Sequence, residues 1–165
     1  GSLGPLFAYQ TYGVVPDVMS TAKGIAGGVP CGLMMAKEKV AEAFVPGDHA
    51  STFGGNPLAT AAGNVVVDEL LGGLLDNVKE QGAYLREKLE EVSAKHKDLV
   101  KEVRGIGLMQ GMELTEPAGD YIAKAIDMGL LLVGAGKYII RFVPSLIVSK
   151  EDIDKAMEIL DKALG

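Results

Sequence analysis

Tryptophan is absent, cysteine occurs once and histidine twice in this chain of 165 residues. A single thiol, Cys31, excludes an internal disulfide framework and a cysteine-rich metal centre. Two imidazoles, His49 and His96, leave little from which to build a zinc site, so no metal is expected. Basic residues are also scarce: 16 Lys and Arg against 22 Asp and Glu give a net charge of −6, and the basic residues form no block. A nucleic-acid partner held by phosphate contacts is therefore not expected. The start of the chain, Gly1-Ser2-Leu3-Gly4-Pro5, carries neither a basic nor an apolar leader region. The apolar stretch from Gly129 to Val143 is interrupted by Lys137 and Arg141 and is too short to cross a bilayer. No membrane partner and a cytoplasmic location are the expectations.

Apolar residues and glycine are plentiful. The chain is 48% hydrophobic, enough to fill a core. Glycine occupies 22 positions, nearly twice the usual share of about 7%, which points to tight turns and close backbone approaches.

Along the chain, glycine and proline punctuate residues 1–32 too often for a long helix. Cys31 to Ala36 reads as a short buried strand and Lys37 to Phe44 as one or two helical turns stopped by Pro46-Gly47. Asn56-Pro57 reads as the N-cap and first residue of a helix that runs to Leu71 and ends at Gly72-Gly73. Leu75, Val78, Leu85, Leu89 and Val92 form one face of the next helix, with charges around the rest. Val103 to Leu114 and Leu130 to Val143 read as strands, with a short helix over Tyr121 to Met128. Ser149 caps a final helix whose buried stripe is Ile153, Met157, Leu160 and Leu164. The pattern is mixed α/β, with a boundary at Gly72-Gly73 that divides the chain into 1–72 and 73–165.

Three places carry chemistry. Lys23 lies in Ser20-Thr21-Ala22-Lys23-Gly24-Ile25-Ala26-Gly27-Gly28, with no acid within five residues. Among small apolar neighbours an amine loses solvation, its neutral form is favoured, and it can attack a carbonyl to form a Schiff base; the alternative is a solvated lysine in a turn. Gly47 to Pro57 combines Ser51, Thr52, flexible backbone and a helix start, the parts of an anion or phosphate site, or else an ordinary capping loop. Arg141 lies inside the apolar run Ile139 to Val143. A buried guanidinium there requires a carboxylate or phosphate partner; the alternatives are a structural ion pair and an edge-strand arginine facing water. His49 beside Asp48, Cys31 as a small buried residue, Gly105-Ile106-Gly107 as a turn and His96 as a solvated helix end complete the inventory.

Taken in order, these segments resemble the class III (fold type I) aminotransferases that use pyridoxal 5'-phosphate. Leu6 to Gln10 with Tyr12 to Asp17 is similar to the family's approach to its cofactor lysine. Ala22-Lys23-Gly24 with Gly27-Gly28-Val29-Pro30 resembles the lysine and its glycine-rich continuation. His49 to Ala59, Val103 to Met109 and Arg141 to Leu146 resemble three later signatures. Within the family, Pro46 to His49 before Ser51-Thr52-Phe53 is most similar to the branch acting on N-acetylornithine in arginine biosynthesis. Ornithine, succinylornithine and 4-aminobutyrate are the alternative amino donors.

The resemblance implies fold type I, with 1–72 as the end of the large cofactor domain and 73–165 as the small C-terminal domain. It implies Lys23 as the lysine that bonds to pyridoxal phosphate. Thr52, with Ser51 beside it, would reach the cofactor phosphate of a neighbouring subunit in a homodimer. Arg141 would meet the substrate carboxylate, and an amino-acid donor and 2-oxoglutarate would be the substrates. The family usually has Gly-Arg-Thr-Gly where this chain has Gly1-Ser2-Leu3-Gly4. The aspartate that pairs with the cofactor ring nitrogen, the phosphate loop and the stacking aromatic ring would all fall before Gly1. The chain is therefore expected to be the C-terminal part of a longer enzyme, inactive or non-catalytic and dimer-forming by itself.

Overall fold

A computed structural model describes all of residues 1–165. The chain divides into two compact units, one formed by Gly1–Phe7 with Leu74–Gly165 and the other by Ala8–Gly73.

The larger unit is built on alternation and amphipathic spacing. Its sheet has four antiparallel strands, β3 (Val100–Ile106), β4 (Met109–Leu114), β5 (Val133–Gly134) and β6 (Ile139–Phe142), in the order β3-β4-β6-β5. Side chains alternate between faces, as the pleat requires: Gln110, Met112 and Leu114 on β4 and Ile140 and Phe142 on β6 turn inward, while Arg141 turns outward. Three helices, α4 (Leu75–Lys95), α5 (Gly119–Asp127) and α6 (Lys150–Leu164), complete the unit. On α4 the residues Val78, Leu85, Leu89 and Val92 are buried, and on α6 so are Ile153, Met157, Leu160 and Leu164. These side chains and the inward strand residues form one contiguous core, each large one contributing about 1.5–3 kcal/mol by leaving water.

Local signals set the ends of these elements. Ser149 and Asp152 form a reciprocal capping box at the start of α6: the Ser149 hydroxyl accepts from the Asp152 N–H at 3.2 Å, and the Asp152 carboxylate accepts from the Ser149 N–H at 3.1 Å. Ile106 pairs with Met109 across the two-residue turn Gly107-Leu108; of the expected turn residues only Gly107 is in the turn, and Gly105 and Ile106 end β3. That turn lies against α4 at Gly82, where an added Cβ would sit 2.6 Å from the Gly107 carbonyl carbon. The Leu108 N–H donates to the Ser2 carbonyl at 2.9 Å, which ties the first residues of the chain to this unit.

His96 departs from the expectation of a solvated helix end. Its side chain is only 13% exposed, and Nε2 lies 2.7 Å from Asp161 Oδ1 on α6, while Lys95 reaches Asp161 Oδ2 at 2.7 Å. The two hydrogen bonds, Lys95 first and His96 second, hold the Asp161 carboxyl below its ordinary pKa.

The smaller unit holds α1 (Ala8–Tyr12), the hairpin of β1 (Val18–Thr21) and β2 (Leu33–Ala36), a 3₁₀ turn at Lys23–Ala26, α2 (Glu38–Ala41) and α3 (Pro57–Glu69). Pro57 opens α3, and the Asn56 side chain accepts from the Ala59 N–H at 2.9 Å, as the sequence predicts. Beyond α3 the backbone leaves helical geometry at Gly73, φ 131°. This interrupts the apolar window within 57–95, whose mean hydropathy of 1.4 is high enough to cross a membrane. The expected buried strand at 31–36 is a strand over 33–36, but Leu33 and Met34, which point to opposite faces, are both exposed, so neither face is covered at that end of the strand. Cys31 is half-buried.

Candidate functional site

Lys23 opens the 3₁₀ turn with φ 58°, the only non-glycine residue of the chain in the left-handed region. A side chain with a Cβ is rarely found there, and holding it there costs of order 1–3 kcal/mol. The preceding Ala22 is extended, and the turn closes at Gly27, φ 61°, whose N–H donates to the Gly24 carbonyl. The Lys23 side chain is exposed and makes no hydrogen bond or ion pair in the chain. The expected loss of solvation among apolar neighbours is therefore not supplied by these residues: Ala22 and Gly24 are themselves exposed. What the fold supplies instead is a strained backbone that carries a free amine.

Ser51 and Thr52 lie in the loop before α3, both exposed, with hydroxyls that have no partner in the chain. Backbone bonds from the Gly54 N–H to the Ser51 carbonyl and from the Asn56 N–H to the Phe53 carbonyl fold this loop into successive turns. The Asn56 amide donates to the Phe53 carbonyl at 2.9 Å while its oxygen caps α3. One side chain thus fixes the loop to the helix start. Ser51, Gly54, Gly55 and Asn56 face Cys31, Gly32 and Leu33 across a pocket of about 290 Å³; Thr52 and Lys23 do not line it. Asp48 does not orient His49: its carboxylate accepts from the Val45 N–H at 3.0 Å, and His49 stands exposed.

Arg141 sits on β6, an inner strand, opposite Gly111 on β4 and Val133 on β5. Of the placements that the sequence leaves open, the buried one does not hold: Arg141 is exposed because Ile140 and Phe142 take the core face. It is not on an edge strand, and it has no ion pair in the chain. It stands at an apolar groove of about 340 Å³ lined by Leu130, Leu132, Phe142, Val143 and Met157 among others. An unpaired cation beside apolar walls suits a carboxylate on an organic ligand. The cations that are paired lie elsewhere on the sheet: Lys101 and Arg104 both bind Glu113, at 2.7 and 2.6 Å, and hold its carboxyl below the ordinary value.

Within the smaller unit the donor set is one amine, two hydroxyls and the amino end of α3, with no cluster of acids or imidazoles fit to hold a metal. As chemical types these groups suit an anionic aldehyde cofactor, an amine for the aldehyde and hydroxyls for the phosphate, but the structure does not bring Lys23 and the Ser51-Thr52 loop to one pocket. Sequence reasoning reaches Lys23, Ser51, Thr52 and Arg141. It misses Asn56 as the residue that ties the loop down, although an Asn after two glycines and before Pro57 is a readable signal.

Comparison with known proteins extends over nearly the whole chain. The family profile "Aminotransferase class-III" matches residues 1–164. An acetylornithine aminotransferase of Caldanaerobacter subterraneus subsp. tengcongensis is 52% identical over 167 aligned residues, covering 100% of this chain and 42% of that protein. The crystal structure of an acetylornithine aminotransferase from Elizabethkingia anophelis superposes with a TM-score of 0.90 at 28% identity, over 99% of this chain and 42% of that one. An ornithine aminotransferase structure from Toxoplasma gondii, described as showing partial occupancy of pyridoxal phosphate at the active site, gives 0.91 at 30% identity, over 99% and 40%. The chain thus spans about two fifths of the length of the relatives it matches.

Proposed function

The chain belongs to the class III aminotransferases, and from that premise we propose that the full-length protein carrying it moves the amino group of N-acetylornithine to 2-oxoglutarate. The observation that carries this reading is Lys23: a partnerless amine on a left-handed backbone. The identity of 52% to an acetylornithine aminotransferase supports the choice of donor. Arginine biosynthesis in the cytoplasm is the metabolic setting this implies.

Pyridoxal phosphate, when bound, supplies an aldehyde that takes up amines and a ring that accepts the electron pair of the bond broken at the substrate carbon. Lys23 would be the residue that holds the cofactor, through Nζ. The same Nζ, when not holding the cofactor, would be the group that takes up and returns the proton of the substrate carbon. Ser51 and Thr52 offer their hydroxyls to phosphate oxygens, Thr52 toward the site of a neighbouring subunit, so the working protein is a homodimer. Arg141 pairs with a substrate carboxylate and orients the C–H bond to be broken. In this reading 1–72 is the end of the large cofactor domain and 73–165 the small domain; the compact units part at nearly the same point, between Gly73 and Leu74, but group Gly1–Phe7 with Leu74–Gly165.

The test is hydride trapping in the full-length protein. Incubation with pyridoxal phosphate, reduction with borohydride and peptide mass mapping are expected to place one pyridoxyl group on Lys23. Lys23→Ala is expected to lose the label and to lower transamination by at least about 10³-fold. A label on another lysine in the unsubstituted protein would sink the reading. A donor panel decides the substrate: faster turnover of ornithine or 4-aminobutyrate than of N-acetylornithine would move the assignment to another branch of the family.

A further inference from the structure

The left-handed backbone at Lys23 has no explanation in its own side chain, which touches no partner. Nor is it forced by a lack of alternatives, because the adjacent Gly24 could adopt a positive φ at little cost and does not. The cause lies at the two ends of the segment. Upstream, β1 ends at Thr21, paired with Leu33 of β2. Downstream, the turn is pressed onto α3. Ala26 is completely buried. A Cβ at Gly27 would lie 3.4 Å from Val66 Cγ2, and one at Gly63 would lie 3.5 Å from the Ile25 carbonyl oxygen, both ordinary packing distances. The Val29 N–H donates to the Ala26 carbonyl at 3.1 Å and locks the exit. With the strand fixed on one side and the turn seated on the other, the change of direction falls on Ala22, φ −156°, and Lys23, φ 58°.

We infer that Ala26 and Val66 are positioning residues for Lys23, seating its turn on α3 and so fixing the direction in which the amine leaves the backbone. The inference rests on Lys23 being the cofactor lysine. Its chemical content is preorganisation: the amine is aimed by buried backbone packing rather than by contacts of its own, so it stays free to leave and return. Neither residue touches the cofactor or the substrate in this role.

The test uses the full-length protein with Ala26→Gly and Val66→Ala. The second keeps α3 intact, because alanine is the better helix former. Two ligands separate aiming from binding. Pyridoxal phosphate reports bond formation, by the rate at which borohydride-trapped label accumulates on Lys23. Pyridoxamine phosphate has the same ring and phosphate but no aldehyde, and reports binding alone. Both variants are expected to slow labelling at least about tenfold, with pyridoxamine phosphate affinity unchanged and apo-protein melting lowered by no more than a few degrees, as the loss of a buried methyl group requires. Labelling at the unsubstituted rate would overturn the inference, as would a loss of pyridoxamine phosphate affinity in step with labelling, which would mean general loosening. Failure of the reading beneath it shows separately, as label on a residue other than Lys23 in the unsubstituted protein.

Discussion

The two units of this chain are packed very differently. Leu74–Gly165 holds one contiguous core in which Val78, Leu89, Met112, Ile140 and Leu160 are each fully buried. In Ala8–Gly73 only Ala26, Ala59 and Leu70 are buried apolar residues, while Val14, Val15, Phe53, Leu58, Val65 and Leu71 are each at least 60% exposed. Composition does not explain the contrast, because both stretches are rich in apolar side chains. What differs is whether those side chains have partners within the chain. The candidate chemistry divides in the same way: Lys23, Ser51 and Thr52 belong to the poorly covered unit, and Arg141 to the packed one. The whole chain spans about two fifths of the length of the relatives it matches, and apolar surface exposed on this scale marks a face suited to burial against another surface.

Substitution at matched leucines offers the most direct way to break the comparison. Leu89 on α4 is fully buried, whereas Leu58 on α3 is 71% exposed. Leu89→Ala in the 165-residue chain is expected to cost about 3 kcal/mol, from lost transfer energy and the cavity left behind. Leu58→Ala is expected to change stability by no more than about 0.5 kcal/mol. Urea unfolding midpoints read both, and a cost at Leu58 equal to that at Leu89 would mean that the smaller unit is covered after all.

A smaller effect sharpens the difference between packing for stability and packing for function. Lys23→Gly removes the Cβ from a left-handed position, whereas Lys23→Ala keeps it. The glycine variant of the cofactor-free chain is expected to be about 1 kcal/mol more stable than the alanine variant. Equal midpoints would show that the backbone at position 23 carries no strain, and would remove the premise on which Ala26 and Val66 are assigned.

How far the sequence foretells this structure depends on how local each cause is. Ser149 with Asp152 and Asn56 with Pro57 are readable because a cap is a relation between residues close in the chain. The α4 stripe is readable because helix spacing repeats within the element. The partnership of His96 with Asp161, 65 residues away, has no local signature, and so the histidine reads as solvated from sequence alone. The sequence reading leaves Arg141 open between burial and water, although its neighbours hold the clue: Ile140 and Phe142 both claim the core face, and a pleated strand cannot send the residue between them the same way. Lys23 is found through its motif, but its φ is not legible, because the strain comes from α3, a separate element far along the chain. The exposure of Leu33 and Met34 likewise depends on what surrounds the strand rather than on the strand itself.

The smallest expected effect concerns acid, and it belongs to the packed unit alone. Asp161 on α6 accepts hydrogen bonds from Lys95 and His96 at the end of α4, and these hold its carboxyl below the ordinary value of 3.8. A carboxylate whose pKa is lower in the folded than in the unfolded chain adds stability above the unfolded value. That contribution declines as the pH falls through the folded one. The window is therefore below about pH 4, and the side chain is partly in water, so the contribution stays under about 1 kcal/mol. Melting temperatures of the parent and Asp161→Asn are expected to converge as pH falls from about 5 to about 2, with the parent higher at the upper end. If Asp161→Asn and the parent stay equally far apart across that whole range, the clasp between α4 and α6 is a matter of shape and not of charge. The packed unit's loss of stability in acid would then come from carboxylates such as Glu113 on the sheet, where Lys101 and Arg104 do the holding.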